Sequence, residues 1–95
     1  MPRVRLPGAG LSPAMSVLVK LSTTLRDRVD GYRPELGLDV PYPFAEENSA
    51  ETLALHIGLP LSEIKIVMVN GRMQKLSCPV EDGDRVAYFP AVGGG

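Results

Sequence analysis

Two hydrophobic periods run along this chain. In MSVLVKLS, Val17, Val19 and Leu21 alternate with Leu18 and Lys20, the spacing of a strand with one face buried. In NSAETLALHIGLP, Ala50, Leu53, Ala54 and Ile57 recur at the spacing of one helix face. Asn48 stands ahead of that face with Glu51 behind it, so Asn48 is the expected N-cap of a capping box. Gly58 supplies a left-handed stop, and Pro60 follows it.

The remaining pattern is strand and turn. Ile64 to Val69 is a β-branched, nearly continuous apolar run, as expected of a central strand covered on one face by a helix. Asn70-Gly71 after it predicts a tight hairpin, because both positions of a type I′ turn take positive φ. Glu81-Asp82-Gly83-Asp84 is a further turn. Arg85 to Phe89 is the last strand, with Val86 and Tyr88 on one face and Ala87 and Phe89 on the other, and Pro90 ends its ladder. LDVPYPF also reads as a strand, but Pro41 and Pro43 donate no ladder hydrogen bonds and restrict it to a sheet edge. Thr24 to Val29 predicts a short helical turn closed by Gly31.

One helix serving four or five strands must cover one face of a single mixed sheet, an α+β layer arrangement. The first and last strands both read as buried and are expected side by side at its centre, which describes a β-grasp. Residues 1–14, rich in Pro and Gly and without period, read as a disordered arm with no function of its own; Met15 is a second candidate start. The folded domain is expected over 15–90, with 91–95 a flexible tail.

Composition narrows the functions. The chain has 95 residues, room for one domain, and 44% of them are apolar. A net charge of −1 gives no field to attract nucleic acid or an anionic membrane. Cys78 is the single cysteine, too few for an internal disulfide, an iron–sulfur cluster or a structural zinc. No apolar run approaches the roughly 20 residues of a membrane span, and Pro and Gly interrupt the opening stretch where a signal peptide needs an apolar core. The chain is therefore read as cytoplasmic, with no bound metal or cofactor.

The usual catalytic constellations are missing. Gly8-Ala9-Gly10 lies in the arm, not at a strand-to-helix turn, so it is no phosphate loop. Asp82 and Asp84 flank a glycine, and turn chemistry explains them better than acid–base work. His56 falls in the last helical turn, where a surface histidine suits the helix dipole. Cys78 sits between Ser77 and Pro79 with no cation beside it to activate it, and reads as a packing or loop residue.

The end of the chain resembles a known family. VNGRMQKLSCPVEDGDRVAYFPAVGGG is similar to the C-terminal half of the bacterial ubiquitin-like sulfur carriers, the small subunit of molybdopterin synthase and the carrier protein of thiamine thiazole synthesis. The shared pattern is Val69-Asn70-Gly71, Gly83-Asp84, the apolar strand Val86 to Phe89, then Phe89-Pro90, Val92 and Gly94-Gly95. VLVKLSTTLR fits the family's first strand and the loop after it, so the resemblance spans roughly residues 15–95. Ala91 stands where the molybdopterin-synthase ending usually has a second proline, and Gly93 is the small residue before the final pair.

This resemblance implies a β-grasp domain that is a carrier, not an enzyme acting alone. Its C-terminal glycine, here Gly95, would be adenylated by a ubiquitin-activating-type enzyme using ATP. Conversion to a thiocarboxylate would then let it donate sulfur to a synthase, such as the large subunit of molybdopterin synthase or a thiazole synthase. Glycine permits the close backbone approach that threading into a partner's channel needs, which suits Gly93 and Gly94 to tail access. Phe89, Pro90 and Val92 are the expected docking anchors at the base of the tail. Molybdopterin, thiazole and cysteine synthesis remain open as destinations of the sulfur. Conjugation of Gly95 to lysines, as ubiquitin is conjugated, remains open as a second outcome, and an idle tail as a third.

Overall fold

The computed structural model describes residues 15–91. Strand β1 (Ser16–Leu21) alternates as its sequence predicts, with Val17, Val19 and Leu21 buried. The chain then makes a 3-10 helix (Thr23–Arg28), whose Leu25 is fully buried. After strand β2 (Leu38–Pro41) come helix α1 (Ala50–Ile57) and a 3-10 turn (Leu61–Glu63). Strands β3 (Ile64–Val69), β4 (Arg72–Gln74) and β5 (Arg85–Pro90) complete the domain.

The strands form one sheet in the order β2-β1-β5-β3-β4. β5 lies parallel to β1, with Val19 beside Val86 and Leu21 beside Tyr88. It runs antiparallel to β3, with Val69 beside Val86 and Val67 beside Tyr88. The last strand thus occupies the middle of the sheet next to the first, as expected. β2 takes the outer edge of β1, the position its prolines allow.

Helix α1 covers one face. Its Ala50, Leu53 and Ala54 are buried with Val17, Val19, Val67, Val86 and Tyr88 in one apolar cluster. Ile57 is only partly buried against it. The run Ile64 to Val69 is more two-sided than its sequence suggests: Val67 and Val69 are buried, whereas Ile66 and Met68 are half-buried on the face away from the helix. β3 is an inner strand, but its outer neighbour β4 is short, so the far side of β3 receives less cover.

The helix begins one residue later than its sequence predicts. Ser49, not Asn48, is the N-cap: Thr52 N–H donates to Ser49 Oγ at 3.2 Å, and Ser49 N–H donates to Thr52 Oγ1 at 2.8 Å. The capping box is therefore Ser49/Thr52, and Glu51 is a first-turn acid. Asn48 is taken by other partners. Its carbonyl accepts from Val80 N–H at 2.8 Å, and its Oδ1 accepts from Phe44 N–H and Ala45 N–H at 2.9 and 3.2 Å. The next free helix N–H groups, Ala50 and Glu51, donate to the carbonyls of Cys78 and Leu76. At the other end Gly58 adopts φ +89 and closes the helix as expected. Ser49→Ala is expected to cost about 1 kcal/mol, measured by urea unfolding, with Glu51→Ala close to neutral; the opposite ranking would restore Asn48 and Glu51 as the cap.

Asn70 and Gly71 have φ of +52 and +83, the conformation expected of a type I′ turn. Nothing lies within 4 Å of the position a Cβ would take on Gly71, so space is not the constraint there. The constraint is backbone strain. Gly71→Val is expected to destabilise the domain by about 1–2 kcal/mol, read as a lowered melting temperature with an unchanged native spectrum.

Candidate functional site

The expected site residues that the structure describes lie at the end of β5. Tyr88 is fully buried at the centre of the sheet, and its Oη donates to Ala50 O at 2.6 Å. Burial pushes the Tyr88 phenol well above its ordinary range, so it remains a neutral donor. This bond ties the strand that leads to the tail to the first turn of the covering helix. Pro90, the final residue of β5, is buried and pairs with Ile64 across a register shift between Ile64 and Ile66. Ala91 follows and is exposed.

Phe89 points to the opposite side of the sheet from Tyr88 and is half-buried. Its pairing partner is Ile66, and Ala87 pairs with Met68, which in turn pairs with Met73. These side chains make an apolar band on the helix-free face, with Met73 69% exposed. Lys20, Arg26 and Tyr32 line a cleft of about 300 Å³ with Phe89 and Ala87. Lys20 Nζ donates to Pro34 O at 3.2 Å and Arg26 Nε donates to Leu21 O at 3.0 Å, so both cations are tied to backbone carbonyls at this cleft. Sequence reasoning found Phe89 and missed its basic neighbours. Lys20 is visible as an outward position of β1, but the position of Arg26 depends on how the 3-10 helix folds back.

Of the two expected site residues that are described, Phe89 and Pro90 are placed on the two faces of one strand end, Phe89 half-buried and Pro90 buried. Val92, Gly93, Gly94 and Gly95 lie outside the described residues, as does the arm over residues 1–14.

The acidic turn is structural. Asp82 Oδ1 accepts from Ser16 N–H at 3.0 Å and from Met15 N–H, fastening the start of β1. Asp84 Oδ1 accepts from Asn70 Nδ2 at 2.9 Å and its Oδ2 accepts from Glu81 N–H at 2.8 Å. Asn70 Oδ1 accepts from Arg85 N–H at 2.9 Å, so the hairpin turn and the acidic turn brace each other. His56 is exposed, its ring tilted against Phe44 at 6.0 Å between centroids. Cys78 is partly buried in a shallow groove with Met73, Lys75 and Pro79, and its carbonyl caps the helix. Among the described residues no cluster of three or more His, Cys, Asp or Glu is placed to hold a metal ion. No helix among them is long and apolar enough to cross a membrane.

A mixed sheet with the last strand beside the first at its centre and one helix across one face define a ubiquitin-like β-grasp domain. The chain belongs to the Mut7-C ubiquitin family, which it matches over residues 14–93. This is a ubiquitin-like family related to the sulfur carriers of molybdopterin-synthase type. No curated protein and no solved structure matches the chain.

Proposed function

We propose that this domain is a sulfur carrier that acts through the carboxylate of Gly95, in the cytoplasm, with partner enzymes and not as an enzyme by itself. The observation that carries the reading is the position of β5. It is paired on both sides, tied through Tyr88 to helix α1, and it leads directly into the Gly-rich tail. A rigid central strand is a firm mount for a segment that must enter another protein's site.

A carboxylate is a poor electrophile. In the proposed sequence an oxygen of the Gly95 carboxylate attacks the α-phosphorus of ATP, bound by a ubiquitin-activating-type partner, and pyrophosphate leaves. A hydrosulfide-level sulfur nucleophile then adds to the acyl carbon and AMP departs with the C–O electron pair. The product is a thiocarboxylate, which a sulfur-accepting synthase consumes. Molybdopterin-type cofactor synthesis is the proposed destination, with the large subunit of molybdopterin synthase as acceptor; thiazole synthase is the alternative. ATP belongs to the activating partner, and the carrier itself holds no cofactor. The helix-free face around Phe89, with Lys20 and Arg26 in the same cleft, is the proposed docking surface, since it joins apolar and basic side chains at the end of the strand that leads to the tail.

The test is intact-protein mass spectrometry on the chain isolated from its native host. Replacement of one oxygen by one sulfur, mapped to Gly95, supports the carrier reading. Adducts joined through Gly95 to lysines of other proteins would make the domain a modifier, and an unaltered Gly95 under sulfur demand would leave the tail idle.

A further inference from the structure

An ion pair stands at the exit of β5. Two segments flank the strand's end. The 3-10 helix after β1 is held to β5 by Ser22 N–H, which donates to Tyr88 O at 3.2 Å. The 3-10 turn before β3 ends at Glu63, directly before Ile64, which pairs with Pro90. Arg28 spans from the first segment to the second. Its Nε donates to Glu63 Oε1 at 2.9 Å and its Nη2 donates to Glu63 Oε2 at 2.7 Å. Thr24, Arg28, Ser62, Glu63, Pro90 and Ala91 line one cleft of about 390 Å³, so the chain emerges at Ala91 inside this frame.

The side chains of Arg28 and Glu63 are 49% and 36% exposed, a setting in which an ion pair adds little to folding. Two parallel bonds between planar groups do something else: they fix a direction and a separation. We infer that the Arg28–Glu63 fork is a positioning pair for Ala91, the residue through which the chain leaves β5. It holds the two turns at a set distance and so aims the chain as it leaves β5. That aim lowers the ordering cost when a partner takes the tail into its channel. The effect on adenylation rests on the carrier reading above; the ordering of Ala91 does not.

The experiment uses the full chain. Nitrogen-15 relaxation at Ala91 and at Val86 is compared among the parent, Arg28→Ala, Glu63→Ala, Arg28→Lys and the charge-reversed double variant Arg28→Glu/Glu63→Arg. The single alanine variants are expected to keep a melting temperature within about 3 °C of the parent. Their Ala91 order parameter is expected to fall below the parent's, toward about 0.6 or less, with Val86 unchanged. Arg28→Lys, which cannot fork, should fall between, and the reversed pair should restore Ala91. Adenylation is read with the ubiquitin-activating-type enzyme of the same source and ATP. There kcat/KM should drop about three- to fivefold in the single variants and return to near the parent's value in the reversed pair. Unchanged Ala91 order in both alanine variants overturns the inference. So does loss of order at Val86 together with Ala91, which would make the pair a general structural brace. If the parent itself is not adenylated, the carrier reading fails, and the Ala91 measurement alone decides the positioning pair. If the parent is adenylated and the alanine variants react at its rate, the aiming role is refuted whatever Ala91 does.

Discussion

One alanine added after Gly95 is expected to abolish thiocarboxylate formation. The reacting oxygen must reach the α-phosphorus in line at roughly 3–3.5 Å. An extra residue moves the carboxylate about 3.3–3.6 Å along an extended chain, a whole bond-forming distance. Misplacement of about 1 Å already costs on the order of a hundredfold, so the extended chain should show no product on the time scale of the parent. Gly94→Ala tests the narrowness of the path and should slow the reaction strongly without moving the melting temperature. Phe89→Ala should behave differently. Phe89 lies half-buried on the helix-free face, so its loss should raise the concentration needed for half-maximal activation and also lower stability by about 1–3 kcal/mol. Incubation with the activating enzyme, ATP and a sulfur source, followed by intact mass, reads all three. An alanine-extended chain that is thiocarboxylated at the parent's rate, untrimmed, would sink the carrier proposal.

Tyr88→Ala is expected to have the largest effect on stability. Its ring is fully buried between β1 and β3 and below helix α1, and its hydroxyl satisfies Ala50 O. Removing an aromatic core residue costs about 3–5 kcal/mol, which approaches the whole stability of a small domain. Tyr88→Phe isolates the hydroxyl and should cost about 1 kcal/mol at neutral pH. The pH dependence then separates the two contributions. Burial raises the folded-state pKa of Tyr88 above its unfolded value, so the folded state keeps the proton that the unfolded state loses. That stability is fully present below about pH 10 and is lost as pH rises toward the folded value. The parent should therefore lose stability more steeply than Tyr88→Phe in alkaline solution, and the gap between them should narrow. Parallel slopes in denaturant titrations above pH 10 would show that Tyr88 does not titrate with unfolding.

Much of the local structure was legible because short-range physics decides it. The alternation Val17, Val19, Leu21 and the pair Val86, Tyr88 marked the buried faces of β1 and β5, and the prolines of LDVPYPF placed β2 at an edge. Asn70-Gly71 marked its turn through the φ values only such residues adopt cheaply. The N-cap was misplaced by one residue for a different reason. Asn48 and Ser49 are both competent caps in sequence, and the choice falls to Val80 N–H, which captures the Asn48 carbonyl from across the domain.

The site divides along the same line. The sequence by itself determined the inner strands, helix α1 to within a residue, the hairpin turn, the β-grasp class, and Phe89 and Pro90 at the end of the last strand, since each follows from residue type and spacing. Only the tertiary structure decided that Lys20 and Arg26 flank Phe89, that Tyr88 anchors the helix, and that Arg28 meets Glu63 at the strand's exit. Arg28 and Glu63 are 35 residues apart and belong to turns with no periodic signal. Their meeting depends on β1 and β3 flanking the same central strand, a long-range pairing that local sequence pattern does not encode.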